Sequence, residues 1–198
     1  MNRIILVRHS ETRKEPHVPS YKWVLSREGK EKAKKLASQL SEYDIELIIT
    51  SKEDKTRETA NIIKHELKLK PVVEMDDLEE TKRVSVPFYE DPEKFKAEIK
   101  KAMEMPDAIV FGEESFAAAQ KRFVKTIGII LKEHSEKQTV AIVTHGTVLS
   151  LFLEHLTRIK AYKFWHIMNL PQFYVWNLDE MQLWPGLTAS PVRTFLEK

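Results

Sequence analysis

Two uninterrupted apolar runs, Ile4-Ile5-Leu6-Val7 and Val140-Ala141-Ile142-Val143, constrain this chain more than any other feature. A strand with one wet face alternates apolar and polar residues, and these runs do not alternate. They read as short strands buried on both faces, the habit of a parallel sheet covered by helices. Ile45 to Thr50 is a further strand of this kind. The first run ends in Arg8-His9-Ser10-Glu11-Thr12, the second in Thr144-His145-Gly146, and Ile45 to Thr50 leads into Ser51. Ligands of open α/β sheets sit at the carboxyl ends of strands, which is where these polar groups fall.

Helical periodicity fills the intervals. Ser26 is placed as the N-cap of a helix running to about Tyr43, with Ala33, Leu36, Ala37 and Leu40 on its buried stripe and lysines facing water. A second helix is expected from about Asp54 to Leu69, with Ile62, Ile63 and Leu67 inward. Pro71-Val72-Val73 reads as a short strand. A long helix from Glu113 to about His134 buries Phe116, Phe123, Ile127 and Ile130, and another spans Val148 to Leu156. From about Phe164 the tail alternates aromatic and polar residues, predicting antiparallel edge strands, with Phe164, Trp165, Phe173, Trp176 and Trp184 in the core. Strand–helix alternation gives a three-layer α/β/α sandwich with a mostly parallel central sheet. A single domain over 1–198 is expected, with an insertion or lid at about 75–112, where the pattern weakens and a small helix covers about Pro92 to Met105.

Composition narrows the function classes. With 32 basic against 30 acidic residues the chain lacks the cationic surplus of a nucleic-acid binder, so any anion preference must be local. No cysteine is present, which excludes disulfides, thiolate chemistry and cysteine–zinc sites. No apolar run approaches the ~20 residues of a membrane span. The chain enters its first strand without the apolar region and cleavage site of a signal peptide, and the cytoplasm is the expected location.

Two histidines at strand ends, one beside arginine and both beside hydroxyls or glycine, point to a site. Metal binding is their rival reading. It is weakened by the lack of HxH, HExxH or cysteine partners and by Arg8, a poor neighbour for a cation. His17, His65, His134, His155 and His166 are scattered without ligand spacing.

Leu6-Val7-Arg8-His9-Ser10-Glu11-Thr12 resembles the Arg-His-Gly-Glu-Thr signature of the histidine phosphatase superfamily, the phosphoglycerate mutase-like proteins. Further segments follow in the family's order. Leu25-Ser26 with Gly29 and Ala33 is similar to Leu-Thr-x-x-Gly-x-x-Gln-Ala. Ser51 with Thr59-Ala60 is similar to Ser-x-Leu-x-Arg-Ala-x-Gln-Thr-Ala. Gly112, Glu114-Ser115 and Arg122 resemble Gly-Glu-Ser with a spaced Arg, and Thr144-His145-Gly146 resembles the second histidine motif. The resemblance implies that His9 is phosphorylated, that Arg8 grips the phosphoryl group and that His145 donates to one of its oxygens. Neighbouring cations would keep the imidazole unprotonated and nucleophilic near neutrality. They would also stabilise the equatorial phosphoryl oxygens.

The family's second arginine falls on Lys55, which carries charge without the bidentate fork; Arg57 lies roughly 200° further around a helix. The family's Leu-x-Glu acid falls on Glu80, with Glu79 as runner-up, to protonate the leaving alkoxide and then activate water. Ser10 stands where the signature has glycine and is expected, with Thr147, to meet phosphate. Lys14-Glu15 replaces a common Trp-Asn. The Glu114–Arg122 pair is expected to be scaffold.

The function so implied is a metal-independent phosphatase, needing no cofactor, that hydrolyses phosphomonoesters of a small molecule through phosphohistidine. Alternatives are a phosphoglycerate mutase, a protein phosphohistidine phosphatase, or a catalytically inactive binding protein. The compact chain and its departures at phosphate-contacting positions favour hydrolysis over mutase chemistry. The identity of the substrate and the oligomeric state stay open.

Overall fold

β1 (Arg3–Arg8) occupies the middle of the sheet, as a strand with four consecutive apolar residues must. It pairs parallel with β4 (Thr139–Thr144) on one side and antiparallel with β5 (Gln172–Asn177) on the other. β2 (Ile45–Thr50) pairs parallel with β4, and β3 (Val73–Glu74) parallel with β2. β6 (Gln182–Trp184) and β7 (Leu187–Thr188) extend the sheet antiparallel beyond β5. The order is β3-β2-β4-β1-β5-β6-β7. The computed structural model describes residues 3–69, 72–134, 139–180, 182–184 and 187–188. Pro71, Pro185 and the side chain of Trp184 lie outside the described part.

The period of two sorts each strand between two apolar layers. Ile4, Leu6, Val140 and Ile142 join one core cluster, and Ile5, Val7, Ala141 and Val143 join the other. In β2 the phase slips once. Ile45 and Ile48 share a face although they are three residues apart, because a register shift between Ile45 and Leu47 absorbs one residue. Such a bulge keeps both faces of a short strand apolar where strict alternation would turn one residue the wrong way.

The layer built on Ile5 and Val7 is covered by α1 (Arg27–Leu40) and α2 (Asp54–Glu66). Ser26 caps α1 by accepting from Gly29 N at 2.9 Å, and Ala33, Leu36, Ala37 and Leu40 are buried as their spacing predicts. On α2 the buried stripe runs through Lys55, Thr56, Thr59, Ala60 and Ile63, and Ile62 stays half-exposed. The opposite layer holds α4 (Phe116–Glu133), capped by Ser115, and α5 (Gly146–Thr157), whose residues from Gly146 to Leu153 are all buried. These burials, roughly 1.5–3 kcal/mol for each large side chain, hold the three layers together.

Between β3 and α4 the chain runs as loop, α3 (Pro92–Glu104) and loop. Phe95 of α3 packs on Phe111, Tyr89 and Trp165, with ring centroids 5.8, 5.8 and 6.0 Å away. Trp165 belongs to α6 (Ala161–Ile167), so the tail opens with about two helical turns where alternation predicts strand. Seven residues are too few to display a helical period in sequence, and Phe164 and Met168 bury themselves at helical spacing. Trp176 of β5 is fully buried against Phe152.

Gly29 joins this scaffold to the segment after β1. A Cβ there would lie 1.9 Å from the carbonyl oxygen of Glu11, and backbone cannot yield as a side chain can. The same stretch is tied by Ser26 N to Glu11 O and by Ser10 Oγ to Gly29 O. Gly29→Ala is therefore expected to lower stability by about 2–3 kcal/mol or more in urea unfolding. Any folded fraction should also lose activity, because the residues next to His9 are displaced. A neutral Gly29→Ala would show that this packing does not hold the segment.

Candidate active site

The parallel register builds the site. Arg8 pairs with Thr144, so β1 and β4 end level, and His9 N donates to Thr144 O at 2.9 Å. Ser51, at the end of β2, donates its N–H to Val143 O. His9, Ser51 and His145 thereby meet at one sheet edge although 136 positions separate the two histidines, and their ring centroids are 5.3 Å apart.

Hydrogen bonds assign the protons of both rings. His9 Nδ1 lies 2.7 Å from the carbonyl oxygen of Ser10, which can only accept. Nδ1 carries the hydrogen, and Nε2 keeps its lone pair. His145 Nε2 lies 2.8 Å from Ser51 Oγ, which lies 2.7 Å from Thr56 Oγ1, which lies 2.7 Å from Glu53 O. One assignment satisfies every contact: His145 Nε2–H donates to Ser51, Ser51 to Thr56, and Thr56 to the terminal carbonyl. His145 Nδ1 is then a buried lone pair with no hydrogen-bond partner among the described residues.

Both imidazoles are held well below their ordinary pKa. For His9 burial is the largest cause, followed by His145, Lys55 and Arg8, with the Ser10 carbonyl opposing. For His145 burial again leads, then Lys55, opposed by Glu80. A neutral ring with one free nitrogen beside two cations, Lys55 and Arg8, is what attack on a phosphoryl dianion requires.

Arg8 is fixed by Met168 O, 2.6 Å from one terminal nitrogen, while its Nε is buried without a partner. Burial lowers its pKa to about 10, so it remains charged at neutrality. A Cβ on Gly146 would lie 2.9 Å from that Nε, so glycine lets the guanidinium rest against the start of α5. Lys55 is 4% exposed and donates to Ser20 O at 2.7 Å. Arg57 is engaged elsewhere, by Asp54 at 3.3 Å and Glu74 at 2.8 Å. Of these two candidate cations the structure thus brings Lys55 to the histidines.

Glu80 caps α5. Its carboxylate accepts from Thr147 N at 3.1 Å, Val148 N at 3.2 Å and Thr81 N at 3.0 Å. Burial alone would raise its pKa, but Arg83 and the N–H donors outweigh it and hold the carboxyl below its usual range. Glu79 is half-buried and lines an adjoining cavity. Glu114 and Arg122 form a two-pronged pair at 2.7 and 3.0 Å, and Arg122 also binds the carbonyls of Asp77, Glu79 and Glu80. The pair clamps the loop that carries Glu80.

Ser10 and Thr147 divide. The Ser10 hydroxyl donates to Gly29 O at 2.7 Å and its N–H to Thr59 Oγ1 at 3.0 Å. Both groups are bonded to the scaffold, so in this arrangement Ser10 offers phosphate no free N–H or O–H. Thr147 Oγ1 is buried without a hydrogen-bond partner.

Two residues join the cluster beyond the expected catalytic and phosphate-binding set: Arg83, read from sequence only as part of a substrate-lining segment, and Glu53, not singled out at all. Arg83 is placed 3.7 Å from Glu80 Oε2 and over the Phe95 ring, with one terminal nitrogen buried and unpartnered. Glu53 is 9% exposed, pairs with Lys55 Nζ at 2.5 Å, lies 3.5 Å from His145 Nε2 and accepts from Glu80 N at 3.2 Å. A signal for Glu53 was available: an acid midway between Ser51 and Lys55, where the resembled segment carries leucine. Glu53, Glu80 and Arg83 also wall a cavity of about 490 Å³, and Arg83 is shared with an aromatic cavity of about 550 Å³ lined by Trp23, Phe88 and Tyr89. His9 lines neither cavity.

The two depressed histidines couple folding to pH. Unfolded, each takes a proton near pH 6.5; folded, each stays neutral to a much lower pH. Stability is complete above that range and falls as pH drops through it, by up to about 1.4 kcal/mol per unit per histidine. Urea unfolding between pH 7 and 5 should show this slope, and His145→Gln should remove about half of it. A slope unchanged in that variant would place the titrating groups elsewhere.

Known proteins bear on this cluster. The family model for the histidine phosphatase superfamily (branch 1) matches residues 4–180. Phosphoserine phosphatase 1 of Hydrogenobacter thermophilus is 29% identical over 172 residues, covering 83% of this chain and 81% of that one. The fold is shared with a phosphoserine phosphatase from Entamoeba histolytica, solved with 3-phosphoglyceric acid (TM-score 0.73, 18% identity, 99% and 100% of the two chains). It is shared also with an alpha-ribazole phosphatase from Shigella flexneri (TM-score 0.68, 24% identity, 95% and 96% coverage). With the family's motifs in order and the two histidines brought together at one sheet edge, this chain belongs to the histidine phosphatase superfamily, branch 1.

Proposed function

We propose that this protein hydrolyses phosphomonoesters of a small molecule through a phosphohistidine at His9. The observation that carries the reading is the His9 ring itself, with Nδ1–H bound to a carbonyl and Nε2 left as a lone pair among Arg8, Lys55 and His145. Nε2 attacks phosphorus, the bond to the ester oxygen breaks, and the leaving oxygen takes a proton from Glu80. Water, giving a proton back to that carboxylate, then attacks the phosphohistidine and releases inorganic phosphate and neutral His9. Arg8 Nε and Lys55 Nζ answer the charge on the equatorial oxygens.

Glu80 begins ionised, so a proton must come with the substrate. The monoanion of a phosphomonoester brings one, and the approach of phosphate to a buried carboxylate favours its protonation. His145 Nδ1, a lone pair, likewise meets a phosphoryl oxygen only across a proton. The segment from 82 to 90 supplies Arg83 and the aromatic cavity wall, and we assign it, within the 75–112 insertion, to substrate coverage. The phosphatases similar to this chain act on small phosphorylated molecules by name, which supports a small-molecule substrate over a phosphoprotein.

Purified protein is expected to hydrolyse p-nitrophenyl phosphate undiminished by EDTA. His9→Ala should lose at least about a thousandfold in kcat, and the wild type should yield an acid-labile phosphoryl group on rapid quench. Activity persisting in His9→Ala would remove the nucleophile from the scheme. Robust phosphoglycerate mutase turnover with a bisphosphoglycerate primer would replace hydrolysis by transfer.

A further inference from the structure

We infer that Glu53 is a positioning residue that sets how weakly this site holds phosphate, acting through Lys55. The inference rests on the phosphate site proposed above. Its first observation is geometric. Lys55 has three N–H donors; Glu53 takes one at 2.5 Å and Ser20 O another at 2.7 Å. A phosphoryl oxygen can reach the third only by sharing the ammonium with a buried carboxylate. The second observation is chemical. The resembled segment carries leucine and arginine at the positions of Glu53 and Lys55, so this chain has added one negative charge and given up the five-donor fork.

Burial makes the added charge count. Both partners are under a tenth exposed, so water screens neither. Glu53 is not held there by helix capping, for although it is the N-cap of α2 its side chain accepts no bond from the helix. Its carboxylate faces Lys55 of α2, His145 at the end of β4, and the backbone N–H of Glu80 in the loop behind β3. Arg83 acts electrostatically on Lys55 from that same loop. Among the described residues, Arg8 therefore supplies the cation of the phosphate grip whose charge no carboxylate pairs within salt-bridge distance, while that of Lys55 is half spent. A hydrolase gains from this arrangement, because the second product is a phosphate dianion that must leave. A site that retains its phosphoryl group between half-reactions would lose by it.

The test is phosphate binding without turnover. Inorganic phosphate is titrated into wild type, Glu53→Gln and Glu53→Leu by calorimetry, and its inhibition constant is measured against p-nitrophenyl phosphate. Glu53→Gln keeps an oxygen acceptor for Glu80 N–H and removes only the charge; Glu53→Leu restores the resembled residue. Circular dichroism and urea unfolding establish that each variant is folded. Both variants are expected to bind phosphate roughly tenfold tighter or more, with KM falling in step and kcat not rising. In a Lys55→Met background the gain should shrink, since Glu53 acts through the ammonium. Unchanged or weaker binding in folded Glu53→Gln, against measurable wild-type binding, would overturn the inference alone and make Glu53 scaffold. No binding by any of these proteins would overturn the phosphate site as well.

Discussion

The register of β1 against β4 is the constraint on which this site depends. One ladder position, Arg8 opposite Thr144, with His9 N–H donating to Thr144 O, brings together two histidines 136 positions apart in the chain. A slip of one residue would turn Ile4 and Leu6 into the layer that now holds Ile5 and Val7. Both layers are sealed, so the cost of such a slip is counted in whole side chains. Precision at His9 and His145 is thus a property of the core beneath them, and the reactive end of the sheet carries none of the burden of choosing its own alignment.

Beyond the strand ends, the site is positioned by backbone more than by side chains. His9 is oriented by the Ser10 carbonyl, Arg8 by the Met168 carbonyl, Lys55 by the Ser20 carbonyl and Glu80 by N–H groups of α5 and Thr81. Backbone partners have fixed polarity, which is why the tautomer of His9 follows from geometry. Arg122 extends the same logic by holding the loop carbonyls of Asp77, Glu79 and Glu80 while its charge is matched by Glu114. The loop bearing Glu80 therefore has little freedom to withdraw its carboxylate from the head of α5.

The sequence was most legible where burial is periodic. Continuous apolar runs gave β1 and β4, and the Ser26 cap gave the start of α1, because both signals are local. The two histidines were legible for the same reason, as residues directly after buried strands. What escaped depends on partners distant in sequence. Ser10 looked like a phosphate contact until its hydroxyl met Gly29 O, 19 positions away. Glu53 drew no reading from sequence, because Lys55, His145 and Glu80 enclose it only in the fold. α6 escaped for a different reason: seven aromatic-rich residues satisfy a strand pattern and a helix pattern equally well.

Charge balance ties these parts into one electrostatic problem. Three cations, Arg8, Lys55 and Arg83, surround two neutral imidazoles and two carboxylates. The cations alone would keep His9 unprotonated and draw in a dianion, but they would also retain it. Glu80 offsets part of that field from the head of α5, where N–H donors hold it ionised at little cost. Glu53 offsets more, at the ammonium itself. The imidazoles tolerate this because burial is the leading cause of their depressed pKa and the carboxylates do not remove it. In the proposed scheme, nucleophilicity at His9 and weak retention of phosphate are therefore set by separate physical causes, desolvation for the first and paired charge for the second. That separation would let Glu53 weaken the proposed grip without protonating the ring proposed to attack.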